Sequence, residues 1–149
     1  MSVLPEWLPV RTSDYRLREL RDRHYSAGVG GATVGPPGRR LAFVTFEGTA
    51  AWVSHWPDPA YERHGLGDAY ICSLFRKECD GVASEMILAA IDATEARWGP
   101  PPDGGWITFV DPAEVRHKRD PGRCFRRAGF EPDGVTKDRG LLILRRRNQ

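Results

Sequence analysis

The sequence predicts a mixed α/β domain built on one sheet, and three observations lead there. Two β-prone runs, residues 41–47 and 50–56, flank the turn pair Gly48 and Thr49, which is the pattern of a hairpin. A third run, 69–75, precedes a long stretch, 80–98, whose apolar residues recur at helical spacing. A fourth run, 106–110, follows that stretch. Strand, helix and strand in this order suit a parallel crossover, whereas the hairpin requires antiparallel pairing, so the sheet must be mixed. With 149 residues, 1–149 reads as a single domain that can bury a real core.

The elements follow in order. Residues 13–24 place Tyr15, Leu17 and Leu20 on one helical face, and Ser13 or Asp14 stands ready to cap the first free N–H groups. Residues 27–40 hold five glycines and two prolines, which suit a mobile loop rather than a helix or central strand. After the hairpin, Pro57, Asp58 and Pro59 stop the chain, and residues 64–67 turn it toward the third strand. The long helix begins at Asp80 and carries Val82, Met86, Ile87, Ala90, Ile91 and Trp98, until Gly99 and three prolines end it. The strand 106–110 runs out onto Asp111 and Pro112. A short helix covers 122–128, an extended piece follows Gly129 and Phe130, and 141–145 makes the last strand.

Composition narrows the function classes. A chain 40% hydrophobic and 28% charged, with no apolar run of membrane length, predicts a soluble protein without a membrane span. The first ten residues have no basic-then-apolar pattern, so no targeting signal is expected and the protein should stay in the cytoplasm. Cys72, Cys79 and Cys124 form no C-x-x-C pair and read as free thiols. The net charge is only +2, but basic residues gather in 11–23, 116–127 and 145–147 while acids are scattered. One face can therefore carry a phosphate-attracting patch, the rival being an ordinary solvated surface.

Two sets of motifs carry a resemblance. The ending Gly122-Arg-Cys-Phe-Arg-Arg-Ala-Gly-Phe130, placed between two strands, resembles the last helix of the GNAT acyltransferases, which closes on a Tyr-x-x-x-Gly-Phe pattern. The segment Asp80-Gly81-Val82-Ala83 then resembles that superfamily's pyrophosphate loop, with Gly81 and Ala83 as the cofactor-binding positions. Arg76 and Lys77 are its nearby cations, whereas Glu78 and Asp80 carry the wrong charge for a pyrophosphate. Four further features, His24-Tyr25-Ser26, Ser84, the strand end Thr108-Phe-Val-Asp111-Pro112 and the Gly-Phe ending, appear in the order found in Mom-like proteins. Those are GNAT-like phage proteins that modify adenine in viral DNA and so protect it from host restriction. Phe125 stands where the family has a late tyrosine, so a general-acid role is not expected at that position.

The resemblance implies a GNAT-like fold and a transferase that flips an adenine out of duplex DNA and adds a carbamoylmethyl-type group to its exocyclic amine. His24, Tyr25, Asp111 and Ser84 are the expected catalytic residues. His24 serves as base or metal ligand and Asp111 as proton acceptor for the amine, against the plainer roles of helix end and turn cap. Ser26, Trp56, Tyr70 and Arg76 are the expected substrate contacts, by stacking, hydrogen bonding or phosphate binding, against plain packing and surface roles. The donor can be acetyl-CoA or another small acyl donor. The resemblance also admits a bound iron with His24 as first candidate ligand, although the four histidines show no metal-ligand spacing of their own. Two rivals stand beside this reading: a conventional N-acetyltransferase acting on a small amine or protein, and a non-catalytic nucleic-acid-binding module on a degenerate scaffold.

Overall fold

A computed structural model describes residues 6–23, 33–58, 65–112 and 122–148. In chain order these form β1 (Trp7–Val10), α1 (Tyr15–Asp22), β2 (Arg39–Thr45), β3 (Ala50–Trp56), β4 (Tyr70–Lys77), α2 (Ala83–Trp98), β5 (Trp106–Val110), α3 (Arg123–Arg127), β6 (Glu131–Val135) and β7 (Leu142–Arg146). The seven strands make one open sheet in the order β1-β2-β3-β4-β5-β7-β6. Every neighbouring pair is antiparallel except β4 and β5, which are parallel and joined through α2. The expected mixed sheet is thus present. No described helix is long and apolar enough to cross a membrane.

The expected β2–β3 hairpin forms with Arg39 opposite Trp56 and Val44 opposite Ala51. The Thr45 hydroxyl fastens its turn by accepting the N–H groups of Thr49 at 2.9 Å and Ala50 at 3.1 Å. β1, by contrast, was not expected. Its Pro9 argues against a central strand, but β1 lies at the sheet edge, where a missing N–H costs no ladder bond. The Trp7 indole ties β1 to α2 by donating to the Met86 carbonyl at 2.9 Å.

Both long helices are shorter than their periodicity predicts. Asp14 caps α1 through the Arg16 N–H at 2.9 Å, and the helix ends at Asp22. Leu17 and Leu20 are fully buried as expected, but Tyr15, at the first position, is 67% exposed. α2 starts at Ala83 rather than Asp80, because Gly81 takes φ +133°, outside any right-handed helix. Val82 becomes the residue before the helix and stands exposed instead of joining the apolar face.

Alternation along the strands sends two sets of side chains to opposite faces. Phe43, Trp52, Tyr70, Cys72, Trp106 and Leu144 meet α2 and α3 on one face. Ala42, Val44, Ala51, Val53 and Leu74 meet Leu17 and Leu20 of α1 on the other. A buried chain of hydroxyls locks α2 down: the Trp52 indole donates to Ser54 Oγ at 2.7 Å, Ser54 shares a hydrogen bond with Thr94 at 2.8 Å, and Thr94 donates to the Ala90 carbonyl.

Two irregularities in β4 shape the molecule. First, Val53 pairs with Leu74 but Ser54 pairs with Cys72, so Ser73 is an extra residue and the strand bulges. The bulge reverses the alternation, which sends Leu74 to the α1 face and Phe75 to the face of α2 and α3. Second, β4 pairs with β5 only through Tyr70–Trp106, Ile71–Ile107 and Cys72–Thr108. Beyond that point β4 continues to Lys77 beside β3 alone, while Phe109 and Val110 pair only with β7. The two parallel strands therefore part company immediately at the bulge, and the β5-facing edge of β4 after Leu74 has no strand partner among the described residues.

Candidate functional site

The residues singled out in the sequence fall at two opposite ends of the sheet. Tyr70 begins β4 and Arg76 lies near its end, and six residues of strand separate such positions by about 20 Å. One small ligand cannot touch both.

At the end where β4 and β5 begin, Trp56 and Tyr70 belong to an aromatic cluster. Tyr70 is fully buried, its ring 5.1 Å from that of Trp56 and 5.3 Å from those of Trp98 and Trp106. Its hydroxyl lies within 3.2 Å of the carbonyls of Trp98, Gly99 and Pro100, which have no helical partners at the end of α2. Burial raises the pKa of this phenol. Trp56 donates its indole N–H to Asp68 at 2.9 Å and carries the Arg39 guanidinium on its face, 4.7 Å from the ring centre. These contacts give both residues a role in holding α2 and the strand ends together.

At the other end stand Arg76, Gly81, Ala83, Ser84 and Asp111. Asp111 directly follows β5, half-buried, on the β5 side of the gap that opens after Cys72 and Thr108. Thr108 closes the floor of that gap by donating its hydroxyl to the Cys72 carbonyl at 3.2 Å. Cys72 itself is buried, which pushes its thiol well above the ordinary range, so it is no nucleophile. Gly81 leads into α2, whose first turn has no side-chain cap, and Ala83 and Ser84 there are half-buried. Phe125 packs edge-on against Phe75 and Phe130 at 6.1 and 5.3 Å, as a core ring of α3.

An ion triad that sequence reasoning missed also lies here. Glu78 receives Arg23 Nε at 2.8 Å and Nη2 at 2.9 Å, and Arg76 Nε at 3.0 Å. Hydrogen bonds from Arg23, then from Arg76, hold its carboxyl down at about 2. The charge that looked wrong for an anion site is thereby matched by two guanidiniums, which leave the triad net positive. No local signal announces this contact, since Arg23 and Glu78 are 55 residues apart.

No protein-family model, curated protein or solved structure matches the chain. His24, Tyr25 and Ser26 lie outside the described residues, immediately after Arg23 in the chain. Among the described residues no three histidine, cysteine, aspartate or glutamate side chains gather to hold a metal ion.

Proposed function

We propose that the chain is a group-transfer enzyme with a GNAT-like fold that modifies the exocyclic amine of adenine in DNA, taking a small acyl-type group from an anionic donor. The observation that carries the group-transfer part is the gap between the parallel strands β4 and β5, flanked by the uncapped start of α2. Among the described residues the parallel pair stops after three residues and leaves backbone N–H and C=O groups of β4 turned toward the gap, where an extended donor arm can hydrogen-bond as a missing strand would. The free N–H groups around Ala83 and Ser84 suit an anionic end on that arm, and the positive triad at the end of β4, on the α1 face of the sheet, offers a second anion contact. Asp111, which follows β5 across the gap, is the carboxylate we assign to accept the proton that the amine loses as its nitrogen takes the acyl-type group and the anionic remainder of the donor leaves. The adenine acceptor rests on the resemblance of His24-Tyr25-Ser26, Ser84 and Asp111 to Mom-like proteins. A base buried in a duplex must be flipped out to react. Mass spectrometry of nucleosides from DNA of a bacterium expressing the protein should show an adenine adduct. Unmodified adenine throughout would refute the acceptor.

A conventional N-acetyltransferase is the second reading, favoured by the uncapped start of α2, which suits the pyrophosphate of acetyl-CoA. Calorimetric titration with acetyl-CoA tests it. Binding without any adenine adduct would select this reading over DNA modification.

A further inference from the structure

We propose that Arg23 and Arg76 form a two-guanidinium receptor for a phosphate-bearing ligand, and that Glu78 is its built-in competitor, a carboxylate that fills the receptor until a stronger anion replaces it. The inference deepens the reading above and rests on its placing of the donor's anionic end beside the end of β4.

The hydrogen-bond geometry supports a receptor. Arg23 meets Glu78 through both Nε and Nη2, one to each carboxylate oxygen, at 2.8 and 2.9 Å. That two-point fork is the arrangement by which a guanidinium also binds phosphate, so a site formed for one anion accepts the other. Arg76 adds a third bond, to Oε2 at 3.0 Å. A staple joining the end of α1 to β4 needs one guanidinium, and the second is surplus to that task. Two cations on one bonded carboxylate leave the triad positive, and even with Glu19 acting on Arg23 from α1 a phosphate dianion neutralises the pair of guanidiniums better than Glu78 does.

Exchange at this site is also physically easy. The side chains of Arg23, Arg76 and Glu78 are 48%, 33% and 27% exposed, so an incoming anion reaches them without opening the core. Ion pairs as exposed as these contribute little to stability, because water and salt screen them, and losing the carboxylate contact costs correspondingly little. The tertiary fold alone creates the receptor. The Ser73 bulge turns Leu74, and with it Arg76, toward the α1 face, where Arg23 arrives from the end of α1. The Glu78 N–H donates to the Thr49 carbonyl at 2.7 Å, which anchors the competitor's backbone while its side chain stays free to swing away.

The test is calorimetric titration of inorganic pyrophosphate into the wild type, Glu78→Gln, Glu78→Ala and the double variant Glu78→Gln/Arg76→Met, with the melting temperature of each. Removal of the competitor should tighten pyrophosphate binding about tenfold or more, and Arg76→Met should abolish the gain. If both Glu78 variants melt earlier and gain no affinity, Glu78 is only a staple and the proposal is wrong. A gain that survives Arg76→Met overturns it as well. Titration of the same proteins with acetyl-CoA keeps the two readings apart: pyrophosphate binding without acetyl-CoA binding leaves the receptor standing and removes acetyl-CoA as donor.

Discussion

Glu78 and Asp111 carry opposite kinds of consequence. Hydrogen bonds from Arg23, and then from Arg76, lower the Glu78 carboxyl to about 2 from its ordinary 4.5. A depressed folded-state pKa adds stability that is fully present above the unfolded value and is lost as pH falls through the folded one. Glu78→Gln should therefore melt slightly below the wild type at neutral pH, the difference being small because water and salt screen so exposed a pair, and it should close as pH falls from about 4.5 toward 2. Melting curves across that window check this, and a gap that stays constant would mean that the carboxylate's charge is not what stabilises. At Asp111 the expected effect is kinetic. Asp111→Asn keeps the side chain's shape and removes its basicity, so adenine modification should slow about a hundredfold to ten-thousandfold with the melting temperature unchanged. Full activity in Asp111→Asn, with Asp111→Ala unfolded, would reduce the residue to a turn cap.

Individual elements depend on contacts that their own residues do not announce. β3 and α2 are joined by Ser54, which accepts the Trp52 indole proton and bonds Thr94 in a fully buried position. Ser54→Ala strands the indole N–H without a partner, at a cost of about 1–3 kcal/mol. Thr94→Val should cost less in that background than alone, because the two hydroxyls share one interaction. Denaturant titrations of the two single variants and the double variant measure both. The start of β5 depends on Gly105, which has φ +69° and whose carbonyl accepts the Tyr70 N–H at 2.9 Å. A Cβ there would lie 2.2 Å from the Arg146 carbonyl oxygen, so Gly105→Ala combines backbone strain with a clash and should destabilise by more than about 1 kcal/mol. A substitution tolerated within a few tenths of a kcal/mol would contradict this account of β5.

At the scale of the whole molecule, the fold sorts the arginines that the sequence grouped into clusters. Arg145 is buried, bonded to Asp133 at 2.7 Å and to the carbonyls of Gly104 and Leu66, and Arg16 is engaged with Asp14 and the Phe46 carbonyl. Such side chains brace loops and strand ends. Arg123 and Arg127 stand exposed on α3, and Arg146, held to the Ala128 carbonyl at 3.1 Å, lies beside them. On the DNA reading these are the phosphate contacts. Binding should weaken about a hundredfold between low and moderate salt, and the Arg123→Ala/Arg127→Ala variant should reduce the slope of log affinity against log salt by about two. Gel-shift titrations at several salt concentrations measure the slope. An unchanged slope would remove α3 from the interface, and no binding by the wild type at low salt would remove DNA as the partner.

Much of the fold was legible because it follows from local periodicity. The β2–β3 hairpin, the buried stripe of α2 and the strand-helix-strand order of β4, α2 and β5 depend on residues a few positions apart, whose side chains must share a face to be buried together. The same local rule explains the strand β1 that was not foreseen and the departures at Asp80 and Tyr15. Pro9 is tolerated only because β1 is an edge, Gly81 delays α2 by a conformation that spacing does not encode, and Tyr15 precedes the stretch of α1 that packs. Of the candidate site, Arg76, Gly81, Ala83, Ser84 and Asp111 were singled out from motif order and resemblance, and the structure puts them at one end of the sheet, about 20 Å from Trp56 and Tyr70. The Ser73 bulge, the parting of β4 from β5 and the Arg23–Glu78–Arg76 triad were decided by tertiary structure alone. Each is a relation between strands or between residues far apart in the chain, set by which backbone edges find partners and which charges meet, and no window of neighbouring residues contains that information.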